Sequence, residues 1–407
     1  MIIISDKVLW GPDLRPREQG AIVTKADRII AIGHRMKMLR NYPGHRILRL
    51  ERSVVMPGLV NAHAHLELPP LLSAETASDY TQWVLKLIAA KKGLSHRDYL
   101  RAVRENIASL LRTGTTTVGE ISTHNVSRAL LTKSGLRATV YREIISMEPR
   151  IPRARFPSLS SRAASPVRDG LSPHSPHTVS EELLMAIRDI AARRRLPLAM
   201  HVAETGDELL LLQGRRSRLD LLYAAAGWPL DKAPRARSSV EYLDRCGMLD
   251  PRFLSVHAVH IDDRDIAALK RSGAAVAHCP RSNRRMGVGA MPLERVLSAG
   301  IPVGIGTDSL ASVPSLSMWD EMRFAFRIHK GKRITPRDIM RLATLGGAKA
   351  LGLEDTTGSL VPGKKADIIA LPLPRTDTGD IYSDLLRETK SSIMTMVNGK
   401  ILHREQP

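Results

Sequence analysis

Between residues 57 and 355, short apolar runs alternate with amphipathic stretches. Apolar runs precede Asn61, Glu120 and Arg142, and others end near Pro173, His201, His257, His278 and Asp308. Runs this short read as buried strands of a parallel sheet. The stretches between them read as helices with recognisable ends. Ser180 is an N-cap with Glu181 and Glu182 in the first turn, Arg193, Arg194 and Arg195 in the last, and Pro197 beyond. A second helix covers residues 95–112 and stops before Gly114, and a third opens at Thr335-Pro336, a cap followed by proline at the first helical position. Eight strands, each followed by helical or loop material, predict an α/β protein built on a (β/α)8 barrel of the TIM type. Residues 150–169 break the rhythm with five Arg, three Pro and four Ser. They are expected to form an exposed loop between strands three and four.

The two ends of the chain have a different pattern. Residues 1–9, 20–24 and 28–32 are strand-like, the last two flanking a Lys-Ala-Asp turn. Residues 366–371 and 392–397 repeat that character, and Asn398-Gly399 is a hairpin signal. Residues 1–56 and 356–407 are therefore expected to form one small β-sandwich domain around a barrel of residues 57–355.

The chain has 407 residues, 43% hydrophobic and 25% charged, which excludes disordered and fibrous classes. Its two cysteines, Cys246 and Cys279, leave no disulfide framework or four-cysteine zinc site and fit the reducing cytoplasm. No segment reaches the roughly 18 apolar residues that span a bilayer. The opening Met-Ile-Ile-Ile-Ser-Asp is too short for a signal peptide. A soluble cytoplasmic protein is expected. The net charge of +20 raises a nucleic-acid partner, but 45 Arg and 16 Lys are spread along the chain and aromatics are only 4%. Single-strand binding wants aromatic platforms. An arginine-rich solvated surface, with neither nucleic-acid nor membrane partner, is the reading retained; it would suit an anionic small molecule.

The candidate chemistry sits at the ends of the apolar runs. His63 and His65, two residues apart on the first strand, point the same way and can grip one ion. His201 ends the fifth run with Glu204 three residues on, His257 ends the sixth and Asp308 the eighth. These are the C-terminal strand ends, where barrel enzymes build their sites. Neutral imidazoles with a carboxylate suit one divalent ion per subunit, Zn2+ or less often Fe2+. Such an ion turns water into a nucleophile, and a nearby carboxylate can move the proton. Hydrolysis at an electrophilic carbon is predicted.

These stretches resemble the amidohydrolase superfamily over nearly the whole chain, and within it the branch of purine and adenosine deaminases and triazine hydrolases. The matching motifs are Pro57-Gly58-Leu59-Val60-Asn61-Ala62-His63-Ala64-His65, Ser172-Pro173-His174-Ser175-Pro176-His177, His201-Val202-Ala203-Glu204, His257-Ala258-Val259-His260 and Gly306-Thr307-Asp308-Ser309. The resemblance implies a metal held by His63, His65, His201 and Asp308. It implies catalytic roles for Glu204, which shuttles a proton to the ring nitrogen, His257, which hydrogen-bonds the attacking oxygen, and Asp308, which takes the proton from water. It also places His174 against a purine and Trp83 beside the substrate, although a loop histidine and a helix tryptophan also serve as structure.

Three further stretches are similar to the aminodeoxyfutalosine deaminases: residues 114–122, Trp83-Val84-Leu85-Lys86-Leu87-Ile88 and His278-Cys279-Pro280-Arg281-Ser282-Asn283. This implies deamination of 6-amino-6-deoxyfutalosine to futalosine in menaquinone biosynthesis. Arg142 and Arg281 become candidates for the benzoate carboxylate, or for ordinary salt bridges, and Glu143 for the ribose. Other adenine-nucleoside or heterocycle deaminases, triazine-type chlorohydrolases and, at a distance, a non-catalytic scaffold or nucleic-acid binder are the alternatives. The chain departs from its relatives at Ala89-Ala90-Lys91-Lys92, where adenosylhomocysteine deaminases carry an acid for ribose, and at His177, where tyrosine is common. Homo-oligomerisation is left open.

Overall fold

The computed structural model describes residues 1–71, 79–149, 166–329, 331 and 333–405. Its centre is a parallel sheet of Leu59–His65, Thr115–Ser122, Arg137–Ile144, Val167–Pro173, Leu198–Val202, Phe253–His257, Ala275–His278, Val303–Ile305 and Asp308–Ser309. The last two are halves of one strand. Val303–Ile305 pairs with the seventh strand and Asp308–Ser309 with the first, which closes the ring. Between the halves, the Gly306 N–H donates to the His278 carbonyl and the Thr307 N–H to the His63 carbonyl. Gly306 is required there: a Cβ would lie 2.9 Å from His63 Cβ and 3.0 Å from Cys279 Sγ.

Inside the ring, Val60, Ala62, Ile121, Tyr141, Ala199, Leu254, Val256, Ala275 and Ala277 pack as one cluster with Ala348, Ala350 and Leu351. Alternate positions such as Met200, Val202, Phe253 and Val276 face outward into the largest core, which includes Leu183, Ile187, Leu243, Leu269 and Trp319 from the surrounding helices. Those helices start where the sequence provides caps. Ser180 accepts from the Leu183 N–H ahead of Glu181–Arg194, and Thr335 forms a capping box with Asp338, Pro336 being the first helical residue. No helix among the described residues is long and apolar enough to cross a membrane.

Of the loop expected over 150–169, residues 150–165 lie outside the described part. The end of the segment is strand, not loop. Val167, Arg168 and Asp169 pair with the third strand, and buried Asp169 accepts from Arg128 Nε at 2.7 Å. The ion pair makes burial of that carboxylate tolerable, which composition alone did not reveal.

A second sheet of eight strands draws on both termini. Ile2–Trp10 pairs in parallel with Ile47–Pro57, which pairs antiparallel with Ile368–Pro372; Met394–Val397 and Lys400–Arg404 complete that edge. Asn398 and Gly399, at φ 49° and 73°, make the hairpin turn between the last two. Arg137, at the base of the third barrel strand, joins the sheets through Asp367 at 2.8 Å and through Asn398.

Candidate active site

The strand ends hold unusual backbone. Ala203, His257, Ala258 and Asp308 all have φ between 46° and 72°, a region non-glycine residues seldom enter. Each such residue costs on the order of 1–3 kcal/mol and must be held by its surroundings. Buried Glu208 holds the first, accepting from the Ala203 N–H at 2.9 Å, the Glu204 N–H at 3.2 Å and the Ser239 hydroxyl. The turn at His257 takes its side chain out of the alternation that keeps Leu254 and Val256 inside the barrel and brings it to the mouth. A register shift between Asn61 and Ala64 does the same for the first strand, so that His63 and His65 face one centre.

Ligand-type atoms of His63, His65, His201 and Asp308 all lie within 4.8 Å of one another. Asp308 Oδ1 is 3.5 Å from Nε2 of both His63 and His65. Its Oδ2 accepts from Ser282 and Ser312 hydroxyls at 2.6 Å, which leaves Oδ1 for the centre. His201 Nδ1 lies 3.0 Å from the His174 carbonyl, an acceptor only, so it donates there and presents an Nε2 lone pair, 3.4 Å from His65 Nε2. Both ring nitrogens of fully buried His63 lack a hydrogen-bond partner. Orphaned imidazole nitrogens beside a carboxylate and a second lone pair fit a divalent cation, with the outer hydrogen bonds that metal-binding histidines use.

The electrostatics agree with that fit. Burial lowers His63 to about 4 and His65 to about 3, so both are neutral near pH 7, as ligands must be. Burial pushes Asp308 upward, but the electrostatic pull of the His63, His65 and His257 imidazoles around it, two of them 3.5 Å away, outweighs it and holds the carboxyl well below its usual range. Glu204 goes the other way: burial raises it from 4.5 to about 7. Its Oε2 accepts from the Tyr80 hydroxyl at 2.9 Å, and its Oε1 is 3.6 Å from His257 Nε2. His257 Nδ1 lies 2.8 Å from Asn283 Oδ1, which fixes its ring.

A cavity of about 470 Å³ opens onto these groups. Trp83, Glu143 and His174 line it; His174 Nδ1 is engaged by Thr178 Oγ1 at 2.9 Å, and Glu143 accepts from Thr123 at 2.6 Å. Arg142 and Arg281 are not on its wall. In the third strand Tyr141 faces the barrel interior and Glu143 the cavity, so Arg142 points outward, where the charges of Asp169 and Arg128 act on it. Arg281 starts the helix Pro280–Arg285 and is taken up by Ser315 at 3.2 Å and by buried Glu321 at 3.5 Å. The reading from sequence passed over Tyr80, Asn283, Ser282 and Ser312. Tyr80 had one signal, its place a helical turn before Trp83.

A family model described as Amidohydrolase family matches residues 54–402. The chain belongs to the amidohydrolase family. As such it is a metal-dependent hydrolase. The 5-methylthioadenosine/S-adenosylhomocysteine deaminase of Pelotomaculum thermopropionicum is 31% identical to this amidohydrolase, over 96% of this chain and 90% of its own. The 5'-deoxyadenosine deaminase of Methanosarcina mazei is 29% identical over 97% and 90%. Among solved structures, Helicobacter pylori aminofutalosine deaminase in complex with methylthio-coformycin shares the fold. The TM-score is 0.89 at 24% identity, covering 98% of this chain and 99% of that one.

Proposed function

We propose that this amidohydrolase is a zinc-dependent deaminase of adenine nucleosides, with 6-amino-6-deoxyfutalosine its preferred substrate. The observation that carries the reading is the pairing of the His63, His65, His201 and Asp308 centre with Glu204, a carboxyl raised to about 7 at the cavity's inner end. The relatives of similar length that act on adenosine derivatives support it. So does the similarity of residues 83–88 and 278–283 to the aminodeoxyfutalosine deaminases. Two buried unpaired thiols support a cytoplasmic location.

Zinc bound by His63, His65, His201 and Asp308 would supply the Lewis acid that makes water nucleophilic near neutral pH. Asp308, held ionised, accepts the proton that water gives up. His257 Nε2 accepts a hydrogen bond from the attacking oxygen, with its Nδ1 anchored on Asn283. Glu204, whose carboxyl burial raises to about 7, delivers its proton to N1 of the adenine as C6 becomes tetrahedral. His174 and Trp83 position the ring. Asp308 then returns its proton to the 6-amino group and Glu204 takes the proton of the new 6-hydroxyl as the C6–N bond breaks, so ammonia leaves, the 6-oxo purine remains and both carboxyls regain their starting states.

The test is turnover of adenosine, methylthioadenosine, S-adenosylhomocysteine and 6-amino-6-deoxyfutalosine by zinc-loaded protein, followed by ammonia release and the ultraviolet shift of the purine. The expected order puts the last substrate first. Absence of turnover with all four overturns the reading.

A further inference from the structure

The charged groups of the cavity are segregated. Glu143, Glu204 and Asp308 stand at the metal end, while the wall beyond is apolar, with Trp83, Val84, Leu87, Leu222, Ala226 and Trp228. The helix Tyr80–Lys91 runs along this wall. Its first residue touches Glu204, and its last, Lys91, with Lys92 just after it, lines the same cavity. Eleven residues of helix separate those ends, about 16 Å along the axis. Lys91 is half-buried and Lys92 exposed, and the charge of Lys91 reaches the rings of His174 and His124. Among the described residues neither lysine side chain has a hydrogen bond or ion pair.

A helix C-terminus favours lysine through its dipole. That accounts for the residue type but not for the place of both lysines on the lining of a largely apolar cavity, away from its three carboxylates. Resting on the deaminase reading for the reacting end, we propose that Lys91 and Lys92 form a subsite for an anionic group, a carboxylate or a phosphate, on the part of the substrate that extends away from the reacting carbon. This subsite takes the place that Arg142 and Arg281, which lie off the cavity, leave vacant. It makes the far end of the ligand, more than the purine, the part that is selected.

Matched substrate pairs test the proposal: 6-amino-6-deoxyfutalosine against its neutral carboxamide, and 5'-adenylate against adenosine. The wild-type kcat/KM should favour the charged member by more than tenfold in at least one pair, and the responding pair tells carboxylate from phosphate. In Lys91→Met/Lys92→Met the preference should fall toward one, mainly through a higher KM for the charged member, and Lys91→Glu/Lys92→Glu should reverse it. Circular dichroism checks that the variants are folded. An unchanged preference in the double variants, or none in the wild type, overturns the subsite. Should no nucleoside react, the deaminase reading falls, and calorimetry judges the subsite alone. Benzoate and phenyl phosphate should then bind the double methionine variant at least tenfold more weakly than the wild type, and equal binding overturns it.

Discussion

Glu204→Gln separates the chemistry of this site from its architecture. The amide has the size of the carboxyl and can still accept from Tyr80, so the cavity keeps its shape. It cannot give or take a proton. A positioned acid–base group contributes about 10²- to 10⁴-fold, so kcat should fall by that factor while the metal content stays at one per chain. The same substitution changes stability in the opposite direction. Raising a buried carboxyl from 4.5 to about 7 disfavours its ionised form by on the order of 3 kcal/mol. Between those pH values the folded protein holds a proton that the unfolded chain has released, so metal-free wild type loses stability as pH rises from about 4.5 to about 7. Glutamine has no charge to bury. Metal-free Glu204→Gln should therefore match wild type at pH 4 and exceed it by up to about 3 kcal/mol at pH 8. Urea titrations followed by circular dichroism at both pH values, with steady-state kinetics on the zinc-loaded forms, measure the two effects. Normal turnover, or an amide variant less stable than wild type at pH 8, refutes the reasoning.

Tyr80→Phe removes the hydrogen bond that lowers Glu204, so the carboxyl should rise further and the alkaline limb of the kcat profile should move to higher pH; an unmoved limb rules out the contact as a tuning device. Asp308→Ala takes away one of the four proposed ligand atoms and the acceptor of Ser282 and Ser312, so elemental analysis after dialysis should find metal well below stoichiometric. Arg137→Met leaves buried Asp367 with the Asn398 N–H but without its cation, and breaking such a pair costs about 3–5 kcal/mol, so the thermal midpoint should drop by several degrees; an unchanged midpoint shows that the tie between the sheets carries no stability.

All eight barrel strands were legible because a buried parallel strand is a local pattern, a short apolar run stopped by a polar residue. The group that fits a metal was legible for the same reason, since strand ends announce themselves and His63, His65, His201 and Asp308 sit on them. What escaped depends on phase and on distant partners. Arg142 and Glu143 are adjacent in sequence, and only the register of the third strand decides which meets the cavity. Arg281 looks free until the helix Met318–His329 brings Glu321 against it. Tyr80 reads as an ordinary helix-start residue, and its bond to Glu204 crosses 124 positions. The shift between Asn61 and Ala64 leaves no mark in the sequence, because it lies in how the first strand pairs with Thr115–Ser122.

The divided eighth strand has a consequence for how the enzyme comes into being. Asp308 lies on the half-strand that seals the ring against the first strand, so it joins the three histidines only when the barrel has closed. During synthesis, a nascent chain that has emerged past His201 already displays three imidazoles but lacks the carboxylate that completes the set. A divalent ion held by all four residues would span the seam where Asp308–Ser309 pairs with Leu59–His65.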